Sequence, residues 1–194
     1  RMQGLSSPCE FENSKSRSVI KLSEKSDKLR EKVRRFLNKM ENCVQRRDRG
    51  ILADLRHGFS ERAQYRAWPH IAPWCDLEKD FQRKIWLTIG AGFSTHEKTA
   101  DVGNIGWTLR KIALGSETGS YDEKLSSFDG RFRRLLSCDT AVEACRHLVG
   151  VIKAAARKNV PINYEELYVD LCYFGERTKK RWASAYWRSE KGAE

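Results

Sequence analysis

The sequence lacks any apolar run of about 18–20 residues, the length that a membrane-crossing helix requires. It also lacks the short apolar core of a secretory signal peptide. Proline is scarce, with four residues in a chain of 194, so few positions interrupt a helix. A membrane-spanning or secreted protein is therefore not predicted, and we expect a cytoplasmic one without membrane partners.

No two cysteines show the Cys-x-x-Cys spacing that is common in zinc sites and redox motifs. The six cysteines are instead scattered along the chain, at Cys9, Cys43, Cys75, Cys138, Cys145 and Cys172. Cys145 and His147 lie two positions apart, a spacing that points two side chains away from each other on a helix. The sequence therefore predicts free thiols, no metal site and no disulfide framework.

Catalytic motifs are also missing from the sequence. There is no Walker motif, and the glycines of Gly90-Ala91-Gly92 lie inside a helical pattern instead of after a strand. The four histidines have no nucleophile or pair of carboxylates nearby in sequence: His57, His70, His96 and His147. We therefore predict a protein that is not an enzyme and binds no cofactor. A small helical enzyme without a recognisable motif is the least favoured alternative.

No segment alternates apolar and polar residues over the length of a strand, and no internal repeat is visible. Apolar residues recur instead every three or four positions, which is typical of amphipathic helices. The pattern predicts an all-α fold of two small bundles, about eight to nine helices, without significant sheet. The predicted helices cover residues 26–44, 48–56, 76–93, 105–114, 128–136, 140–157, 164–174 and 176–187.

The chain divides by composition into three parts. Residues 1–23 are polar and show no helical period, so we expect a flexible N-terminal arm. Residues 94–102 contain almost no apolar side chain, and we place a domain boundary there. The predicted bundles are residues 24–98 and 99–190. In the predicted helix at 76–93 we expect Leu77, Phe81 and Ile85 to face the core.

Charge is the strongest indication of a partner. Lys and Arg total 37 against 26 Asp and Glu, a net charge of +11, which favours an anionic partner such as nucleic acid. Basic side chains share helix faces, and arginine can bond two phosphate oxygens at once. The predicted nucleic-acid-binding residues are Arg46, Arg49, Arg56, Arg131, Arg134, Arg177, Lys180, Arg181 and Arg188.

The first long helix adds a basic flank that extends about 27 Å at 1.5 Å per residue. This flank consists of Lys28, Lys32, Arg35, Lys39 and Arg46. Glutamates at helical spacing offer the alternative of a solvated helix held by ion pairs between residues four apart. No motif for reading bases is present, so we expect contacts to the phosphate backbone that do not depend on sequence.

Three sequence segments carry a resemblance to a known family. The first runs from Asn163 as Asn-Tyr-x-x-Leu-x-x-Asp-Leu and continues into a basic helix with Arg181-Trp182-Ala183. The others are residues 47–58, RDRGILADLRHG, which resemble the family's Arg-x-x-Leu-Arg helix, and residues 103–139, with Gly-x-x-Leu-Arg and Arg-Phe-x-x-Leu-Leu. The order of these segments along the chain makes it similar to the CasB family. That family is the small subunit of Cascade, the type I-E CRISPR surveillance complex.

The resemblance implies a helical, non-catalytic subunit that is present in two copies along the inner face of the complex. There it would contact the backbone subunits, the large subunit, CRISPR RNA and target DNA. Its implied role is to hold the displaced DNA strand after the guide RNA has paired with its target. Cutting of the target would belong to a separate helicase-nuclease.

A stand-alone, dimeric DNA-binding regulator is the main alternative. Residues 98–113 have the glycines and the Leu-Arg-Lys helix of a helix-turn-helix, but the segment before them is too polar to supply the first helix. Adjacency of the gene to CRISPR-associated genes favours the Cascade subunit, and an ordinary operon favours the regulator.

Overall fold

The structure is a computed structural model that describes the backbone of residues 8–115 and 121–187 and the side chains of residues 23–115 and 128–187. These parts of the chain contain nine α-helices and two short 3₁₀-helices, His57–Phe59 and Gln64–Ala67. The α-helices are α1 Pro8–Gln45, α2 Arg49–Arg56, α3 Trp68–Ile71, α4 Asp80–Thr95, α5 Ile105–Leu114, α6 Tyr121–Ser137, α7 Ala141–Lys158, α8 Tyr164–Cys172 and α9 Glu176–Trp187. No strand occurs in the described backbone, which confirms the all-α prediction.

Local signals set most helix boundaries. The side chains of Asp48, Asn104, Thr140 and Asn163 each accept a backbone N–H in the first turn of the helix that follows. Asn159 ends α7 in the left-handed region, at φ 57°. These caps are readable from the sequence, so the predicted and observed boundaries of α2, α5, α7 and α8 agree within about two residues.

Helix α1 begins at Pro8, well before the predicted start at residue 26. The residues between these positions have no apolar stripe, but glutamate, lysine and arginine are good helix formers. Once a helix is nucleated, each further residue adds one hydrogen bond, so a polar stretch can extend a helix that packs elsewhere. Apolar periodicity therefore located the packed part of α1 and missed its polar extension.

One continuous cluster of buried side chains forms the core, and it draws on both sides of residues 94–102. Phe36 of α1 lies 5.1 Å from Trp86 of α4, measured between ring centroids, and Trp86 lies 4.7 Å from Tyr168 of α8. Trp86 is 1% exposed. The division into bundles at 24–98 and 99–190 remains a prediction, and these contacts show that the core residues of the two ranges pack together.

The polar segment after α4 is hydrogen-bonded to the connection between α7 and α8. Ala100 donates its N–H to the carbonyl of Ile162 at 3.0 Å, and Ile162 donates to the carbonyl of Lys98 at 3.1 Å. The buried His96 ring contacts the Val160 carbonyl at 2.7 Å through Nε2. The Tyr164 hydroxyl donates to the His96 carbonyl at 2.9 Å. Backbone pairing therefore holds a segment that few apolar side chains anchor.

The prediction that Phe81 faces the core is wrong, since its side chain is 44% exposed. Helix α4 begins at Asp80, because residues 76–79 form a turn in which the Asp76 side chain accepts the N–H of Glu78. Phe81 therefore lies in the first turn of α4, before the buried stretch that starts at Ile85. In the described part of the chain, no helix is both long and apolar enough to cross a membrane.

Candidate nucleic-acid interface

Helix α9 is fixed against α8 by one buried carboxylate. Asp170 of α8 is fully buried, and its Oδ2 accepts the indole N–H of Trp182 at 2.6 Å. Its Oδ1 accepts the guanidinium of Arg181. Trp182 is itself fully buried, so its bond to Asp170 anchors α9 in the core. Burial raises the pKa of Asp170 to about 6, and the bonds from Trp182 and Arg181 oppose that rise.

Ion pairs connect this anchor to α1. Glu166 accepts from Arg181 at 2.8 Å and from Arg30 of α1 at 2.5 Å. The neighbouring Glu165 accepts two bonds from Arg34, each of 2.9 Å. Arg181 is therefore held by Glu166 and Asp170, although helical periodicity places it on an outward row. The sequence indicated the face of α9 on which Arg181 lies and could not show that acidic residues of α8 approach that face.

A cleft of about 610 Å³ lies where α1, α8 and α9 meet. Its walls include Arg30, Tyr173, Arg177 and Arg181. Arg177 is exposed, and its guanidinium has no carboxylate partner among the described residues. Lys180 is likewise exposed on α9, without an ion pair in the described structure. The next predicted residue, Arg188, lies outside the described residues.

Two predicted arginines lie on the exposed side of α6. Arg131 places its guanidinium carbon 5.3 Å from the centroid of the Phe128 ring. Arg134 is exposed, and its side chain makes no ion pair with a described residue. The intervening Arg133 is bound by Asp129 at 2.5 Å. The Trp187 indole also donates to Asp129, at 3.1 Å, so the end of α9 packs close to this arginine pair.

The turn between α1 and α2 presents a second basic group. Arg46 and Arg49 are both exposed, and neither side chain pairs with a described carboxylate. Arg47 between them has a positive φ of 56°. The one acidic residue in the turn, Asp48, uses its side chain to cap α2. Arg56, at the other end of α2, donates from Nε to the Ser94 carbonyl at 2.6 Å and so joins α2 to α4.

The basic flank of α1 is only partly available. Arg35 is bound by Glu31 at 2.8 Å, the pairing between residues four apart that the alternative interpretation expects. The Lys32 ammonium lies 5.7 Å from the centroid of the buried Trp86 ring. Ion pairing and cation–π contact therefore engage part of this flank within the protein.

Helix α7 carries a basic face that the sequence analysis missed. Arg146, Lys153 and Arg157 are exposed and recur at intervals of seven and four, which places them on one side of the helix. Gly150 lies among them with open space at its Cβ position. No ion pair engages these three side chains within the described residues. The spacing is visible in the sequence, but the apolar stripe of alanines, Leu148, Val151 and Ile152 is the stronger periodic signal on this helix.

The described side chains form one group with metal-binding donors: Cys138, Glu143 and His147. Other titratable groups serve the structure. His70 contacts Asp54 at 3.4 Å, and that carboxylate also binds Arg66 at 3.1 Å. Burial raises the pKa of the Cys145 thiol to about 12, so this thiol stays protonated at neutral pH.

Comparison with known proteins identifies the chain through its family. The sequence model of the family described as CRISPR-associated protein Cse2 matches residues 51–187, more than half of the chain. This range runs from α2 to the end of α9 and contains the Asp170 anchor and the α6 arginines. No curated protein and no solved structure matches the chain. The protein therefore belongs to the Cse2 (CasB) family, the small subunit of the type I-E Cascade complex.

Proposed function

We propose that this chain is the non-catalytic small subunit of Cascade and helps to stabilise the R-loop by holding the displaced DNA strand. The contacts would be to phosphates and independent of base sequence. Family membership supports the assignment to Cascade. The nature of the contacts is inferred from how the basic side chains are used within the chain.

The observation that carries this proposal is a division of the basic residues into two classes. One class is held by carboxylates within the protein, as Arg30, Arg34 and Arg181 are. The other is exposed without a carboxylate partner among the described residues: Arg46, Arg49, Arg131, Arg134, Arg177 and Lys180. An exposed guanidinium that no internal acid neutralises is free to bind phosphate oxygens, which makes the second class the proposed DNA contacts.

The energetics of R-loop formation give such contacts a role. The guide–target heteroduplex is about as stable as the DNA duplex that it replaces, so the exchange is nearly balanced. Cationic contacts to the released strand shift that balance toward the open state. They also release counterions, which makes the gain dependent on salt. A surface that reads no bases suits a displaced strand whose sequence differs from target to target.

In this proposal, Arg56 and Arg181 support the contact surface instead of binding DNA. Their side chains bind Ser94 and the Glu166–Asp170 pair, so they would position α2 and α9 under the contact surface. Arg188 is retained as a proposed contact from its sequence position. The partners proposed are the backbone subunits, the large subunit and a second copy of this chain, together with CRISPR RNA and the displaced strand.

The test compares three double variants in the assembled complex: R46A/R49A, R131A/R134A and R177A/K180A. Each removes two exposed charges without removing an internal ion pair. The matched control is R35A/K79A, which also removes two exposed charges, but from side chains bound by Glu31 and Asp76. Binding is measured on double-stranded target and on a short single strand complementary to the guide, which displaces nothing.

We expect the three double variants to assemble, to bind double-stranded target more weakly and to bind the short single strand almost normally. The slope of double-strand affinity against log salt should decrease by roughly 0.7 for each phosphate of the displaced strand that is no longer neutralised. Equal weakening on both substrates, or equal weakening in R35A/K79A, would contradict the proposed binding of the displaced strand. A preference of the isolated chain for one palindromic site, of about 10³-fold over scrambled DNA, would support a regulator instead.

A further inference from the structure

Three side chains with metal-binding donors meet where α6 passes into α7. The Cys138 Sγ, a carboxylate oxygen of Glu143 and a ring nitrogen of His147 all lie within 4.8 Å of one another. Glu143 and His147 are four residues apart on α7, so they project from the same face on successive turns. Cys138 follows the last turn of α6 and reaches this face from the neighbouring element. The group therefore spans two elements instead of one helix turn.

The capping of α7 orients the Glu143 carboxylate. Oε2 of Glu143 accepts the N–H of Asp139 at 3.0 Å, and the N–H of Glu143 donates to the Thr140 hydroxyl at 3.2 Å. These two bonds fix the carboxylate at the start of the helix and leave Oε1 without a bond in the described structure. An outer hydrogen bond of this kind is what commonly holds a carboxylate ligand in place at a metal site.

Cys138 is buried and His147 is exposed, so a site formed by both is open to solvent on one side. Cys138 is fully buried, and its Sγ lies 3.2 Å from the Arg134 carbonyl, its one polar partner among the described residues. His147 is exposed, and neither ring nitrogen bonds to a described residue. An ion could therefore enter past His147 and reach the thiol below it. The positive charge of nearby Lys179 is offset by Glu176, at 3.5 Å.

We infer that Cys138, Glu143 and His147 form a binding site for a zinc-class divalent ion, with one thiolate, one imidazole and one carboxylate ligand. Donors of a tetrahedral zinc site lie about 3.5 Å apart, because the metal–ligand bonds are about 2.0–2.3 Å long. The three donors lie within 4.8 Å of one another, so side-chain rotations that bring them about 1 Å closer produce the spacing of a zinc site. Binding converts the thiol to a thiolate and releases one proton to solvent, so the site gains one ion and loses one proton.

The donor set selects the class of ion. A thiolate and an imidazole favour Zn²⁺ or Co²⁺ over Mg²⁺ and Ca²⁺, which prefer oxygen ligands. Three protein ligands leave a fourth position facing solvent beside His147, which water or a side chain of a partner subunit can fill. The ion would join the end of α6 to the first two turns of α7. It would thereby hold the α6 arginines in a fixed relation to the basic face of α7.

The test uses the full chain without an affinity tag and freed of metal by chelation. Zn²⁺ binding is measured by competition with a chromophoric chelator, and Co²⁺ binding by its absorption spectrum. We expect one ion per chain and a thiolate-to-cobalt charge-transfer band. H147A and E143Q should weaken Zn²⁺ affinity by more than about 100-fold, since even outer-shell partners account for 10–100-fold. C138S should abolish the charge-transfer band.

Matched controls use other residues of the same types. C172S and H57A should keep the affinity and the spectrum of the unaltered chain, because neither residue belongs to the group. Zn²⁺ should raise the melting temperature of the unaltered chain and not that of H147A. H147A concerns an exposed side chain, so it tests the site even if C138S does not fold. Equal Zn²⁺ affinity in H147A and the unaltered chain, or a cobalt spectrum without the thiolate band, would overturn the inference.

Discussion

The backbone of α9 passes directly over Gly106 of α5, at the carbonyl group of Trp182. A Cβ atom at Gly106 would lie 2.1 Å from this carbonyl oxygen, far inside van der Waals contact. One turn further along α5, the buried Arg110 donates to the Tyr186 carbonyl at 3.0 Å. The Gly-x-x-Leu-Arg segment of α5 therefore serves packing: the glycine admits the neighbouring backbone and the arginine bonds it.

Gly106→Ala should destabilise the protein by more than about 3 kcal/mol or prevent folding, because the obstructing atoms belong to backbone and cannot rotate away. Chemical denaturation measures the free energy of unfolding. Gly150→Ala is the matched control, since that helical glycine has no atom within 4 Å of its Cβ position. The control should be neutral or stabilising by up to about 1 kcal/mol. Equal stability of the two variants would contradict the close crossing.

Arg181→Ala should lower the free energy of unfolding by about 2 kcal/mol, because it removes a charged donor from the buried Asp170. Lys180→Ala removes the same charge from the adjacent position, which has no ion pair in the described structure, and should change stability by less than about 0.5 kcal/mol. Thermal and urea unfolding of the isolated chain provide the measurement. Similar stabilities for both variants would mean that the Arg181–Asp170 pair contributes little.

The raised pKa of Asp170 predicts a pH dependence of stability with a definite sign. Because the folded state binds this proton more tightly than the unfolded state, its contribution favours folding at low pH and is lost as the pH rises from 3.8 to about 6. A shift of roughly two units corresponds to about 3 kcal/mol. Carboxyl-carbon NMR should show a titration near 6 that is absent in Asp170→Asn. A group titrating at its ordinary value would contradict the prediction.

Tyr164→Phe should cost about 1 kcal/mol, because it leaves the His96 carbonyl without its buried hydroxyl donor and changes little else. Urea denaturation at neutral pH measures the destabilisation. Tyr65→Phe is the control, since Tyr65 is 59% exposed, and it should be neutral. If both variants match the unaltered chain, the bond between residues 96 and 164 does not stabilise the fold.

Helices were predictable where the sequence carries both an apolar stripe and a cap, as at Thr140 before α7 and Asn163 before α8. Signals of this kind are local, and so they are visible in the chain. The polar part of α1 carries neither signal, which is why its start was placed too late. Phe81 shares the helix face of Ile85, but it lies in the first turn of α4, before the buried stretch, and helical spacing alone could not show where that stretch begins.

The sequence predicted which helix faces carry basic side chains. It could not predict which of those side chains form ion pairs within the protein. Helical spacing places Arg177 and Arg181 on the same outward face of α9 and does not distinguish between them. Only the position of Glu166 and Asp170 on the adjacent helix separates the exposed arginine from the bound one. The same limit applies to Cys138, Glu143 and His147, whose donors meet across the junction of α6 and α7.

The pairing of α1 with α8 also has a consequence for how the chain folds as it is synthesised. Arg30 bonds a residue 136 positions later, and Arg34 one 131 positions later. Helical bundles usually fold fast because their contacts are local, and pairings of this separation raise the contact order and the cost of loop closure. Phe36 of α1 can pack against Trp86 of α4 early, but the part of the core that α8 completes must wait for the C-terminal helices to emerge from the ribosome. During that interval the side chains that α8 covers, such as Trp86 of α4, remain exposed to aggregation or to capture by a chaperone.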